Sequence, residues 1–146
     1  MAFLSSFNIS GSALTAQRFR SDVIVQNIVN ADTTRTASGQ PYRRKMVVLQ
    51  ENVMKKDFSS VLNQKSKKYG ANGVKVAALI EDDTPLRPVY NPQHPDADEQ
   101  GYVMMPNVDK TQESIDLMAA TRAYEANITA FNAIKTMANK ALEIGR

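Results

Sequence analysis

The chain has 146 residues, of which 42% are hydrophobic, a formal net charge of +3 and no cysteine. This length suits a single domain, and the missing cysteines exclude a disulfide framework, thiolate metal sites and a cysteine nucleophile. No run approaches the roughly 20 apolar residues of a membrane-spanning helix. The opening MAFLSSFNISGSA has neither a basic n-region nor a continuous apolar core, so no cleavable secretory signal is expected.

The net charge hides an asymmetry. From Arg35 to Lys75 ten Lys and Arg stand against Glu51 and Asp57, and from Glu81 to Asp116 nine Asp and Glu stand against Arg87 and Lys110. The two halves can complement each other within a subunit or between subunits, or form two solvated faces. Nucleic-acid binding would require the basic half to act as a stripe with stacking aromatics, and the acidic half argues against it.

Phe3 to Asn30 reads as a long helix. Phe3, Phe7, Leu14, Val25 and Ile28 follow a rhythm of threes and fours interrupted by Arg18 and Ser21, and Gly11 weakens the middle. Alone in water such a helix is marginal, so packing must order it. Asn30 to Thr34 then supplies polar breakers. The middle is different in kind. Tyr42 to Leu49 is β-prone and Val74 to Ile80 alternates as a strand does, while Leu86–Tyr90 and Tyr102–Met105 are candidate short strands. Asp57 to Leu62 suits a short turn or strand, and Gln64 to Gly73 a basic, mobile loop with an Asn72-Gly73 turn signal. Between Tyr90 and Tyr102, Pro92 and Pro95 stiffen a loop.

Asn107 to Gly145 contains no proline or internal glycine and reads as one helix on the order of 50–60 Å long. Asp109 with Gln112 suits a capping box, and Gly145 suits a terminal C′ glycine. Leu117, Ala120, Tyr124, Asn127, Phe131, Ile134, Ala138 and Ala141 recur at alternating threes and fours, a coiled-coil seam with Asn127 as its polar entry. Beside it runs a second row: Ala119, Ala123, Ala126, Ala130, Ala133, Met137 and Ile144. Two rows make a face wider than one partner helix needs, so the helix is expected to seek other molecules. The fold class is therefore mainly α: long N- and C-terminal helices packed as a coiled-coil-like pair, with a small β-rich insert. The expected divisions are 1–34, 35–106 and 107–146.

Catalysis has no support. His94 is the only histidine, it precedes a proline, and no G-x-S-x-G element occurs. His94, Asp96, Asp98 and Glu99 form the one cluster suggestive of a metal, but the ligand types and spacing favour a proline-rich turn, so neither a metal nor a cofactor is expected. Arg122, Glu125 and Lys135 are either solvated helix charges or interface contacts. The rival to an assembling subunit is a self-contained helical hairpin acting as a soluble export adaptor or binding module. Such a hairpin should carry one apolar stripe per helix, not two.

Several motifs support a resemblance. Ser12-Ala13-Leu14 with Asn27-Ile28-Val29-Asn30-Ala31-Asp32-Thr33 is similar to the N-terminal signature of the flagellar rod and hook axial proteins, with Val29 standing where Ala is common. Pro41-Tyr42-Arg43-Arg44-Lys45, Val89 to Asp98, and Gly101-Tyr102-Val103 followed by Pro106-Asn107-Val108-Asp109 resemble the proximal ("C") rod subunits of that family. Arg122 to Asn127 and Lys140 to Arg146 are similar to its closing helix. The resemblance covers essentially the whole chain. It implies export without signal cleavage through the flagellar type III apparatus and assembly above the membrane-embedded MS ring and its rod adaptor. Copies of the chain and other rod proteins would form a periplasm-crossing rod around the export channel, with terminal helices inside and the β region outside. The residues expected at the assembly interface are Phe7, Leu14, Val25, Ile28 and Asn30, together with Leu117, Ala120, Arg122, Tyr124, Glu125, Asn127, Phe131, Ile134, Ala138, Ala141 and Ile144.

Overall fold

A computed structural model describes residues 2–52 and 72–144. Helix α1 (Ala2–Val29) is followed by strands β1 (Lys45–Glu51), β2 (Val74–Glu81), β3 (Arg87–Tyr90) and β4 (Tyr102–Met105), then helix α2 (Lys110–Ile144). Two long helices thus flank two small antiparallel sheets, β1–β2 and β3–β4. About half of the described residues are helical, so the expectation of a mainly α chain is met only loosely. The segments expected at Asp57–Leu62 and across most of Gln64–Gly73, and the capping Gly145, lie outside the described residues.

The helices run antiparallel. Phe7 meets Phe131 edge-on with ring centroids 4.8 Å apart, and some 20 residues along α1, Asn27 bonds Glu113. At about 1.5 Å per residue α1 is about 42 Å long and α2 about 52 Å, so α2 overhangs the start of α1. The long helix begins later than the sequence reading placed it. Asp109 caps it by accepting from the backbone N–H groups of Thr111 and Gln112. The bond from the Gln112 backbone is the N-cap half of the expected capping box. Asn107, read as the helix start, is instead a junction: its Oδ1 accepts from Arg44 N–H, and its amide donates to Asp82 O and to both oxygens of Thr84.

α1 packs on two partners, α2 and the β1–β2 ribbon. Its buried residues are therefore Ser10, Ala16, Val23, Ile24 and Asn27, not a single stripe. A two-stranded ribbon is marginal alone, and its attachment to α1 is what seats it. Ser12 Oγ accepts from Val74 N–H and donates to Ile9 O. A Cβ on Gly73 would sit 2.3 Å from Ser12 Oγ, so the ribbon can approach α1 this closely only through a glycine. The ladder runs from Lys45↔Glu81 to Glu51↔Val74 with a bulge at Val48/Leu49, and Asn52 N–H to Gly73 O extends it. Gly73 thus continues the ladder, and the Asn72 amide donates to the Glu51 carboxylate beside it.

In the second ribbon Val103 faces inward while Tyr102 and Met104 face out, the alternation a half-buried strand requires. Asp98 Oδ1 accepts from the N–H groups of Gln100 and Tyr102, and Gly101 takes φ +82 beneath Tyr90 and Pro92, closing the loop. A small core of Ala31, Tyr42 and Val108 joins the end of α1 to the entries of β1 and α2.

Candidate assembly interface

Where the helices meet the β ribbon, the chain buries a polar junction. An asparagine side chain can donate twice and accept twice, and Asn27, 1% exposed, does all four. Its amide donates to Lys45 O and Glu113 Oε2 (2.9 Å each), and its oxygen accepts from Tyr42 OH (2.9 Å) and Lys45 N–H (3.0 Å). Glu113, also 1% exposed, receives Arg44 Nε at 2.6 Å on its other oxygen. Arg44 further lies 3.5 Å from Asp116 and 3.7 Å from Asp82. Buried polar groups are costly unless paired, and here α1, the entry to β1, the end of β2 and α2 are held by one satisfied network. Burial alone would lower the Arg44 pKa; the Glu113 hydrogen bond and the charges of Glu113, Asp116 and Asp82 outweigh it and raise it. Burial, then the charges of Glu113 and Glu81, push the Tyr42 phenol above its ordinary range. Hydrogen bonds from the Thr84 backbone and hydroxyl, aided by Arg44, hold Asp82 below the usual carboxylate range.

Basic and acidic halves therefore complement each other within one chain. Arg35–Asp96 at 3.8 Å follows the same sense, whereas Lys110–Asp32 at 2.6 Å runs the other way; such exposed pairs contribute little. The supposed metal cluster is loop scaffolding. His94 Nδ1 accepts from Asp96 N–H, Asp96 accepts from Thr34 Oγ1, and Asp98 closes the turn at Tyr102. Among the described residues no group of His, Asp and Glu is arranged to hold a metal.

The C-terminal helix divides its faces sharply. Ala120 is buried, Leu117, Tyr124, Asn127, Phe131, Ile134 and Ala138 are half-buried, and Phe131 of this seam meets Phe7 of α1. The second row stands outside this contact: Ala119, Ala126, Ala130, Ala133 and Met137 are exposed, and only Ala123 is partly covered. Ile115, Met118, Ile128 and Leu142 are exposed too, Leu142 at 73%.

The family model for the C-terminal region of the flagellar basal body rod FlgEFG proteins matches residues 99–144, which span β4 and α2. Along its full length the chain is 51% identical to the flagellar basal-body rod protein FlgC of Bacillus subtilis and 43% identical to that of Escherichia coli, covering 100% of each chain. It is 41% identical to that of Borreliella burgdorferi, over 99% of this chain and 98% of the other. The chain belongs to the FlgC family of flagellar basal-body rod proteins.

Within this FlgC-family chain the expected interface residues separate into groups. Phe7, Leu14 and Ile28 are half-buried on α1, and Phe7 meets Phe131 across the helix pair. Val25 is 45% exposed and stands outside the helix pair, because Val23, Ile24 and Asn27 take the inward positions. Asn30 ends α1, its amide donating to Gln26 O and its oxygen accepting from Thr33 Oγ1. Arg122, Glu125 and Ala141 are exposed, and the Ile144 side chain lies outside the described residues. Asn127 does not bond across the helices; its amide donates to Ala123 O one turn back. The polar link across the pair is Asn27–Glu113, which the sequence reading passed over. The spacing contained the signal: Glu113 is one four-residue step before Leu117 on the same seam, and its charge disguised it as a surface residue.

Proposed function

We propose that the chain is a structural subunit of the proximal rod of the bacterial flagellar basal body. It polymerises through its terminal helices, with copies of itself and other rod proteins, into the torque-transmitting shaft around the export channel. In this reading residues 1–34 and 107–146 form the inner helical part and 35–106 the outward β region. The base of the rod meets the MS ring and its rod adaptor, and the chain reaches the periplasm through the type III export apparatus. Its role is structural, not catalytic. The observation that carries the reading is the open second face of α2: one chain covers the Leu117–Ala138 seam and leaves the parallel row of alanines and Met137 in solvent. Open helical faces that are not self-complementary are hidden by heterologous contacts, which extend into helical assemblies. No helix among the described residues is long and apolar enough to cross a membrane, consistent with a periplasmic shaft. An independent adaptor hairpin fits less well, because it would have a polar outer face.

The test is complementation. In cells lacking their own copy, the full chain should restore rods and swimming. A chain truncated after Asp109 should accumulate yet give neither. Normal rods from the truncated chain would refute the role assigned to α2.

A further inference from the structure

The β1–β2 ribbon is latched to α1 at one corner. Gly73 O accepts from Asn52 N–H at 2.7 Å, and the next residue, Val74, donates its N–H to Ser12 Oγ on α1 at 3.0 Å. The approach is so close that a Cβ on Gly73 would lie 2.3 Å from Ser12 Oγ. Only glycine fits. Just before it, Asn72 ties the corner to β1, its Nδ2 donating to Glu51 Oε1 at 2.9 Å.

The same glycine leaves a backbone nitrogen unshielded beside an asparagine side chain. An asparagine can close a succinimide ring when the nitrogen of the following residue attacks its side-chain carbonyl carbon. A bulky following residue, or a hydrogen bond that occupies that N–H, hinders the attack. Gly73 has no Cβ, and among the described residues its N–H donates to no acceptor. Other asparagines differ. Asn27 and Asn107 precede the branched Ile28 and Val108 and have their side-chain amides engaged, and Asn91 precedes Pro92, which has no N–H. Asn72-Gly73 is the only Asn-Gly pair in the chain.

We propose that Asn72 is a site of spontaneous deamidation, and that its conversion unlatches the β1–β2 ribbon from α1. Gly73 N gives its proton to hydroxide and bonds to Asn72 Cγ. The Cγ–Nδ2 bond breaks, and the nitrogen leaves as ammonia with a proton from water. A second water then opens the succinimide. Breaking the Gly73 N–Cγ bond restores the backbone with aspartate at this position; breaking the bond from Gly73 N to the Asn72 main-chain carbonyl carbon leaves isoaspartate. The net change takes up one water and releases one ammonia, and nothing is oxidised or reduced.

Either product removes the donor that Glu51 accepts from and sets a second carboxylate beside it, a like-charge contact. Isoaspartate also lengthens the main chain by one carbon just before Gly73, where the contact with Ser12 leaves no slack. The Asn52–Gly73 and Val74–Ser12 bonds then separate. A two-stranded ribbon is marginal on its own, so loosening this corner loosens β1–β2 while β3–β4 keeps its own loop bonds. This chemistry goes beyond the rod-subunit reading and is independent of it.

The test begins with the purified full-length chain, held at physiological temperature and mildly alkaline pH and sampled over time. After trypsin digestion, the peptide from Tyr69 to Lys75 should show the amide-to-acid mass increase before any other asparagine-containing peptide, and an isoaspartate-specific methyltransferase should label it. Asn72→Gln, whose larger ring closes far more slowly, should abolish both signals in that peptide. In the aged chain and in Asn72→Asp, hydrogen exchange at the Val74 and Asn52 N–H groups should quicken about fivefold or more, the weight of one lost hydrogen bond. Exchange at Tyr102 N–H, held by Asp98 in the other ribbon, should stay unchanged. An intact Asn72 after other asparagines have reacted would overturn the site. Conversion that leaves exchange at Val74 and Asn52 unaltered would overturn the latch.

Discussion

Removing Arg44 should destabilise the chain more than removing Glu113, although the two side chains share one ion pair. Glu113 is 1% exposed, and its carboxylate's only hydrogen-bond partners among the described residues are Arg44 Nε at 2.6 Å and the neutral Asn27 amide at 2.9 Å. Arg44 is 25% exposed and has two further carboxylates within 3.7 Å, on Asp116 and Asp82. In Arg44→Ala a buried carboxylate loses its counter-charge, a loss of about 3–5 kcal/mol. In Glu113→Ala the guanidinium keeps two acidic neighbours and some water, and the cost falls to about 2 kcal/mol, mostly lost hydrogen bonds. With a urea m-value of about 2 kcal/mol per molar, the two unfolding midpoints should differ by about 1 M. Circular dichroism at the helical minimum in a urea titration would read this directly. Lys110→Ala, which removes the exposed pair with Asp32, serves as the control and should shift stability by less than about 1 kcal/mol. An Arg44→Ala midpoint equal to or above that of Glu113→Ala would refute the reasoning. It would mean that the buried carboxylate does not depend on that cation.

Two further outcomes follow from the same junction. Asn27→Leu leaves Tyr42 OH, Glu113 Oε2 and the Lys45 backbone without their partner and should cost at least about 3 kcal/mol. Asn127→Leu removes only a bond to its own helix at a half-buried seam position and should leave the urea midpoint unchanged or raised; a fall like that of Asn27→Leu would mean that Asn127 carries the cross-helix register after all. The pH limbs differ in cause. Asp82 is held below its ordinary 3.8 in the fold, so its contribution is present above that value and is lost as pH falls through the lower folded value. Asp82→Asn should flatten that acid limb. Tyr42 is raised above 10.0, so its contribution is complete below pH 10 and is lost as pH rises through the folded value; Tyr42→Phe should flatten the alkaline limb. Urea midpoints measured across both limbs check each sign, and unchanged limbs in the variants would assign the titrations elsewhere.

Local chemistry was legible in the chain where a pattern repeats over many residues. The helical span from Lys110 onward, the 117–138 seam, the four short strands and the family motifs all follow from periodicity or from residues whose backbone preferences leave few choices. The second row on α2 was legible for the same reason, and it stands largely exposed in the folded chain.

What the sequence could not disclose was which polar residues would be buried together. Asn27, Arg44, Asn107 and Glu113 lie as many as 86 residues apart, and each by itself is a residue type usually found in water. Only the antiparallel crossing of the helices and the seating of β1 beside α1 bring them within hydrogen-bond distance, so their importance arises with the tertiary structure. Val25 falls outside the helix pair for a related reason. A helix covered on one side shows one apolar stripe, but α1 is covered by both α2 and a β ribbon, and its inward positions no longer follow a single period. The sequence by itself determined the elements, their order and the surplus of apolar helix surface. The tertiary structure decided which side of each helix is buried within the chain and which stays exposed, because burial depends on what arrives from elsewhere in the chain.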